Sequence, residues 1–295
     1  MSKMFTAITI FQLEEQGKLS LDHAISPYLS NEITQTLVVD SLDGEDSVDY
    51  SQVTIAQVLN HTSGLGEHLN SNDDAAQIAF FTTQENDFSI DDIIDLSKKN
   101  HDVYYFKSGS KFQYSNLGYI LSGEIIEFVT GESYKRVIEK QIFTPLKLQH
   151  SFFLSDNIKN APIGYMDNHP ITMPGSCARA AGEIISCVEY LSLFIHNVFT
   201  GKLLDNTSQT LILDSIANSI SEEMHYGYGF YKENDMIGHS GGTFGFSTKV
   251  LISCDLKTYY ISSINEAKIK NDVKDLLKHR CFHNTDKLTW QTNNK

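Results

Sequence analysis

Apolar residues recur at helical spacing from the first residue: Met1, Met4, Phe5, Ile8 and Phe11, with Ala7, Ile10 and Leu13 thickening the stripe. The pattern predicts an apolar helix over 1–16 that Gly17 closes, with Leu19 and Leu21 leading on. The pattern begins at the first residue, so the sequence shows no N-cap residue for the first amides of that helix. Further helices follow. TIAQVLNHTSGL opens with Thr54 and Gln57 in capping-box spacing. SIDDIIDLSKKN repeats the device with Ser89 and Asp92 and ends in Lys98 and Lys99, favourable for the helix dipole. NLGYILSGEIIEFVTG stops at Gly131, ESYKRVIEKQIFTPL ends before Pro145, and SCVEYLSLFIHNVFTG carries a third box, Ser186 with Glu189.

The last third changes period. YGYGFYK, DMIGHSGG, FSTKVLISCD and TYYISSINEA are short aromatic and β-branched runs separated by turns, and they read as consecutive antiparallel strands. NDVKDLLKHRCF then puts Val273, Leu276, Leu277 and Cys281 on one face, a closing helix packed on the sheet. The predicted class is α+β, an antiparallel sheet flanked by helices plus a mostly helical subdomain. One domain spans 1–295, with a mostly helical part at 20–185 and a helix, antiparallel strands and a C-terminal helix at 186–285.

Composition narrows the function. With 23 Lys plus Arg against 37 Asp plus Glu the net charge is −14, which argues against nucleic acid or an anionic membrane as partner. No apolar run is long enough to span a membrane, and the first helix runs into Glu14 and Glu15 without a signal cleavage site. The four cysteines, Cys177, Cys187, Cys254 and Cys281, form no C-x-x-C pair. His279, Cys281 and His283 look metal-like by composition, but their spacing scatters them around a helix, so no metal or cofactor is expected.

Three segments carry candidate chemistry. In FQYSNLGY, Tyr114 and Asn116 lie two apart before a helix, offering a phenol and a carboxamide to one side, or simply a capping loop. In IGHSGGTFGFS, His239, Ser240, Gly241 and Gly242 follow a strand, either as a tight turn or as a place where a ligand approaches backbone amides beside a proton donor. LNHTSGLGEH reads alone as a helix C-cap. Two nucleophile motifs are decoys. GHSGG fits G-x-S-x-G, but a strand rather than a helix follows Ser240. SGSK fits S-x-x-K, but Ser108 and Lys111 sit in a glycine-containing loop.

In this order HTSGL, YSNLGYILSGEIIE, GESY, IFTPLKL, AAGEIIS and GHSGG resemble the serine β-lactamase and penicillin-binding-protein family, most nearly its class C β-lactamase, D,D-peptidase and esterase branch. The similarity runs from residue 1 to about residue 280. It implies a β-lactamase/transpeptidase-like fold and an acyl-enzyme mechanism on a small-molecule or peptide substrate, without a cofactor. It implies the family's Y-x-N at Tyr114 to Asn116 and its third element at His239 to Gly241. MSKMFTA resembles the stretch bearing S-x-x-K, with Lys3 as the motif lysine. The nucleophilic serine is then expected immediately before Met1, together with sheet strands and any signal peptide of an extracytoplasmic protein. Ser2 cannot replace it, because Phe5 stands three residues on.

The resemblance gives Lys3 and Tyr114 the shared role of base, with His239 bonding Tyr114 or a substrate carboxylate. Asn116 holds the substrate amide, and Ser240, Gly241 and Gly242 line the binding strand, with the Gly242 N–H as an oxyanion donor. Histidine in place of the third motif's usual lysine favours peptidase or esterase chemistry over β-lactam hydrolysis. The alternative is a non-catalytic binding protein that keeps the cleft.

Overall fold

In the computed structural model the described residues are 1–39, 48–69, 87–99, 106–171, 174–217, 219, 225–243, 245–266 and 282–283. Helix α1 (Ser2–Glu15) is buried on every side, not on one stripe, from Ser2 through Phe11 and again at Leu13. Its apolar residues cover the whole circumference, so it forms the centre of the fold. The polar positions comply: Thr9 donates to the Phe5 carbonyl at 3.0 Å, and the Thr6 hydroxyl donates to the Ala180 carbonyl at 2.7 Å. Phe5 stacks on Phe194 with centroids 3.9 Å apart. Each of Met4, Phe5, Ile8, Ile10, Phe11 and Leu13 removes enough apolar surface for about 1.5–3 kcal/mol. Gly17 takes φ +66° and ends α1 as expected, with Lys18 N–H bonding the Leu13 carbonyl at 3.0 Å.

The other helices follow their local signals, with two exceptions. Helix α2 (Asn31–Thr36) is capped by Ser30, and α3 (Ile55–Leu59) has the Thr54–Gln57 box formed in both directions. Helix α4 (Ile90–Lys99) carries the reciprocal Ser89–Asp92 bonds, and α5 (Asn116–Thr130) ends at Gly131 with φ +66°. Helix α6 (Tyr134–Ile138) continues through a π-turn at Glu139–Phe143 into Thr144–Leu146, past the expected stop. The π-turn re-phases the helix, so Pro145 falls at the start of a fresh turn, where no N–H is required. The second exception follows the short α7 (Arg179–Gly182), at α8 (Val188–Phe199), which has Cys187 at its N-cap and no side-chain cap bond. Pairing of Ile184 and Ile185 with Phe153 and Phe152 holds the chain extended there, and Ser186 bonds Ser151 across that pair at 2.8 Å instead of capping. Helix α9 (Asn206–Ala217) precedes the sheet.

Among the described residues the main sheet has six antiparallel strands in chain order: β1 (His225–Tyr226), β2 (Tyr231–Glu233), β3 (Met236–Thr243), β4 (Phe246–Ser253), β5 (Thr258–Ile264) and β6 (Phe282–His283). The run YGYGFYK splits into β1 and β2 around a turn in which Gly229 takes φ +80° against α1. A Cβ on Gly229 would stand 2.6 Å from that of Ala7, so only glycine lets turn and helix meet. Helix α8 packs on β4 and β5. The closing helix expected over 271–282 lies outside the described residues except Phe282, which pairs with Tyr259 in β6. Among the described residues no helix is long and apolar enough to cross a membrane.

The whole is α+β, with helices against an antiparallel sheet. One consequence concerns the site: β2 pairs with β3 only from Met236 to Gly238, whereas β4 pairs with it through Thr243. The edge of His239–Thr243 is thus open toward the head of α1 among the described residues.

Candidate active site

Lys3, at the head of α1, is 3 % exposed. Its Nζ donates to Asn116 Oδ1 at 2.5 Å and to the Ala181 carbonyl at 3.1 Å, and lies 4.9 Å from the centre of the Tyr114 ring. Burial lowers its pKa to about 8, with Glu67 opposing the shift. The loop that presents Tyr114 and Asn116 serves both readings of its sequence. Ser115 caps α5 by accepting from Gly118 N–H at 3.2 Å, while its two neighbours turn toward Lys3.

The segment that reads from sequence as a mere C-cap fixes that loop. His61 leaves α3 with φ +60°; its carbonyl accepts Gln113 N–H at 2.9 Å and its Nδ1 accepts Ser115 N–H at 3.1 Å. Ser115 Oγ donates to the Gly66 carbonyl at 2.8 Å. The buried carboxylate of Glu67 accepts both the backbone N–H of Asn116, at 2.7 Å, and its Nδ2, at 2.9 Å. The amide of Asn116 is therefore oriented by chemistry: nitrogen to a carboxylate, oxygen to an ammonium. His68 stands behind, its Nδ1 3.3 Å from Glu67 Oε1 and its Nε2 bonded to the Cys177 carbonyl at 2.9 Å. Burial holds His61 well below its ordinary range, with Lys3 and His239 adding to the shift, and it lowers His68 against the pull of Glu67. Nothing in the spacing of LNHTSGLGEH reveals these roles.

On the sheet side, His239 is buried and Nε2 accepts from the Tyr226 hydroxyl at 2.9 Å. Its Nδ1 bonds the Ser240 carbonyl, which fixes the neutral tautomer. The hydroxyl it meets is thus Tyr226's, while the Tyr114 ring lies 6.5 Å away between centroids. Burial keeps His239 uncharged, well below its usual range. Burial likewise pushes the phenols of Tyr114, Tyr119 and Tyr226 well above 10, so all three stay protonated near neutrality. Tyr226 and Tyr119 are site neighbours that sequence reading did not single out; the Tyr119 hydroxyl bonds the Leu59 carbonyl at 2.6 Å. Ser240 and Gly242 are exposed, and Gly241 lies against Met1 so closely that a Cβ would stand 2.8 Å from the Met1 nitrogen.

Ser2 Oγ accepts Ile184 N–H at 3.0 Å, Ser108 Oγ donates to Gln57 Oε1 at 2.7 Å, and Ser240 sits within β3 with β4 following. In front of Met1, Ser2 and Gly241 opens a cleft of about 290 Å³. Among the described residues no His, Cys, Asp and Glu cluster suits a metal ion; His279 and Cys281 lie outside them.

Comparison with known proteins matches residues 1–268 to the family model described as Beta-lactamase. The chain is 25% identical over 280 residues to penicillin-binding protein 4* of Bacillus subtilis, covering 85% of this chain and 56% of that protein. It is 30% identical over 166 residues to protein flp of Staphylococcus aureus, covering 56% of this chain and 29% of that one. The chain thus spans little more than half the length of the first relative and under a third of the second. The crystal structure of a D-stereospecific amidohydrolase from Streptomyces superposes with a TM-score of 0.76 at 26% identity, over 90% of this chain and 80% of that one.

Proposed function

The chain belongs to the beta-lactamase family, and on that premise we propose that it is the body of a serine hydrolase that cleaves an ester or amide through an acyl-enzyme. The observation that carries the reading is the buried Lys3 amine, held by Asn116 beside the Tyr114 ring at the head of α1. The nucleophile is a serine directly ahead of Met1. A residue at that position, three before Lys3, shares its helix face and brings a hydroxyl toward the amine.

The step then runs as follows. Neutral Lys3 takes the serine proton as the serine oxygen bonds the substrate carbonyl carbon. The tetrahedral oxyanion is met by backbone N–H groups on the open edge of β3, with Gly242 as donor. The carbon–leaving-group bond breaks, and the leaving oxygen or nitrogen takes a proton from Tyr114, which burial keeps protonated near neutrality. Lys3 returns the proton to Tyr114. Lys3 then takes a proton from water as the water oxygen bonds the acyl carbon, and returns it to the serine oxygen as the ester bond to the serine breaks, releasing the acid. Asn116 holds Lys3 in place and His239 supports the aromatic floor through Tyr226.

The test is to express the chain with its natural upstream residues and treat it with a fluorophosphonate. Mass spectrometry should find one adduct on the serine before Met1, lost in Lys3→Met. An adduct on Ser2, Ser108 or Ser240 refutes the assignment. No adduct at all, or another residue before Met1, leaves a binding protein with the same cleft.

A further inference from the structure

Resting on the hydrolase reading above, we propose that the cleft selects an uncharged substrate with an apolar side chain and excludes substrates that carry a carboxylate beside the scissile bond. The walls of the cleft are largely apolar. Leu154, Ile158, Ile163, Ile171 and Phe246 line the cleft in front of Met1 and Gly241. Ile158 and Ile163 remain 48% and 58% exposed, apolar surface left in water at the mouth of a concave site. Such surface marks a place where an apolar group docks.

Among the described residues the cations near the cleft are paired or solvated. A carboxylate drawn out of water needs a charged or multiply donating partner. Lys3 is committed to Asn116 and Ala181. His239 has one nitrogen bonded to the Tyr226 hydroxyl and the other to the Ser240 carbonyl, leaving neither for a ligand. Lys249, cross-strand from Ser240, is paired with Glu233 at 2.5 Å. Lys159 lies on the cleft's rim, exposed, and a solvated lysine there adds only about 0–1 kcal/mol to an ion pair. Among the described residues the other charged side chain in the lining is Glu183, buried, its carboxyl pushed up by burial and accepting from Ser155 Oγ at 2.7 Å, while burial lowers the Met1 amine in the same lining to about 5. Glu183 offers an anion no positive charge, and a chain of net charge −14 disfavours one.

The experiment is equilibrium binding to the full chain by ligand-observed NMR and calorimetry, which needs no turnover. The probes are N-acetylphenylalaninamide, N-acetylphenylalanine and N-acetylalaninamide, each as both enantiomers. The amide with the ring should bind about tenfold or more tighter than the acid, which carries the charge, and than the alaninamide, which lacks the ring. Ile163→Glu should remove most of that preference without moving the melting temperature, since the side chain is largely exposed, and Lys159→Ala should leave the preference intact. Binding of the acid as tight as the amide, equal binding of the alaninamide, or binding of none overturns the proposal. Labelling by fluorophosphonate is read separately. A labelled serine with no ring or charge preference sinks this inference alone, whereas the preference without a labelled serine sinks only the hydrolase reading.

Discussion

Replacing Lys3 with Met should abolish a pH-dependent part of the chain's stability. In the fold the Lys3 pKa is about 8, against 10.5 for the unburied group. Between those values the unfolded chain holds a proton that the folded chain has shed, so stability rises with pH across the window. The full gap corresponds to about 3 kcal/mol. From pH 7 to pH 10 about 2.5 kcal/mol of it should appear, because both states are largely protonated at the lower end. Tyr114, Tyr119 and Tyr226 act in the opposite direction above pH 10, since their phenols are held protonated in the fold, so the scan stops there. The buried histidines near Lys3 titrate below the window. Met matches the aliphatic stem of Lys3 and carries no proton. Urea unfolding of both proteins at pH 7, 8, 9 and 10 gives the comparison. The stability of the unmodified chain relative to Lys3→Met should increase by about 2.5 kcal/mol over the series. Two parallel curves would refute the reasoning: Lys3 would then keep an ordinary pKa and offer no base at neutral pH.

In the serine-bearing chain, Tyr114→Phe should lower kcat by about a hundredfold or more with little change in KM, because a proton donor and not a binding group is removed. Normal turnover of that variant would end the role given to the phenol. Glu67→Gln removes the charge that raises the Lys3 pKa, so the Lys3 midpoint should fall below about 8 when followed by NMR of lysine labelled at Cε; an unmoved midpoint would separate Glu67 from the site. Gly238→Ala places a Cβ 1.9 Å from the Val250 carbonyl oxygen and should cost about 3 kcal/mol or more by thermal unfolding. An unchanged melting temperature would contradict the pairing of Gly238 with Leu251 in β3 and β4.

Much of the local structure follows from neighbouring residues along the chain. Thr54 with Gln57 and Ser89 with Asp92 begin α3 and α4 where they stand, and Gly17 and Gly131 end α1 and α5 with φ of +66°. The change of period after residue 225 becomes an antiparallel meander, and Tyr114 and Asn116 both turn to Lys3. These features are legible because caps, periods and turn glycines act over a few residues of backbone. Other features were decided by tertiary structure alone. The Ser186 box gives way to a strand pairing with Phe152 and Phe153, and α1 is enclosed all round. Glu67 meets Asn116 across 49 residues, His61 meets Ser115 across 54, and Lys3 meets Asn116 across 113. The ring nitrogens of His239 are taken up by Tyr226 and the Ser240 carbonyl. A polar atom removed from water must bond whatever the packing brings within about 3 Å. That partner, and the pKa shift that comes with it, depends on the assembled core and leaves no trace in local spacing.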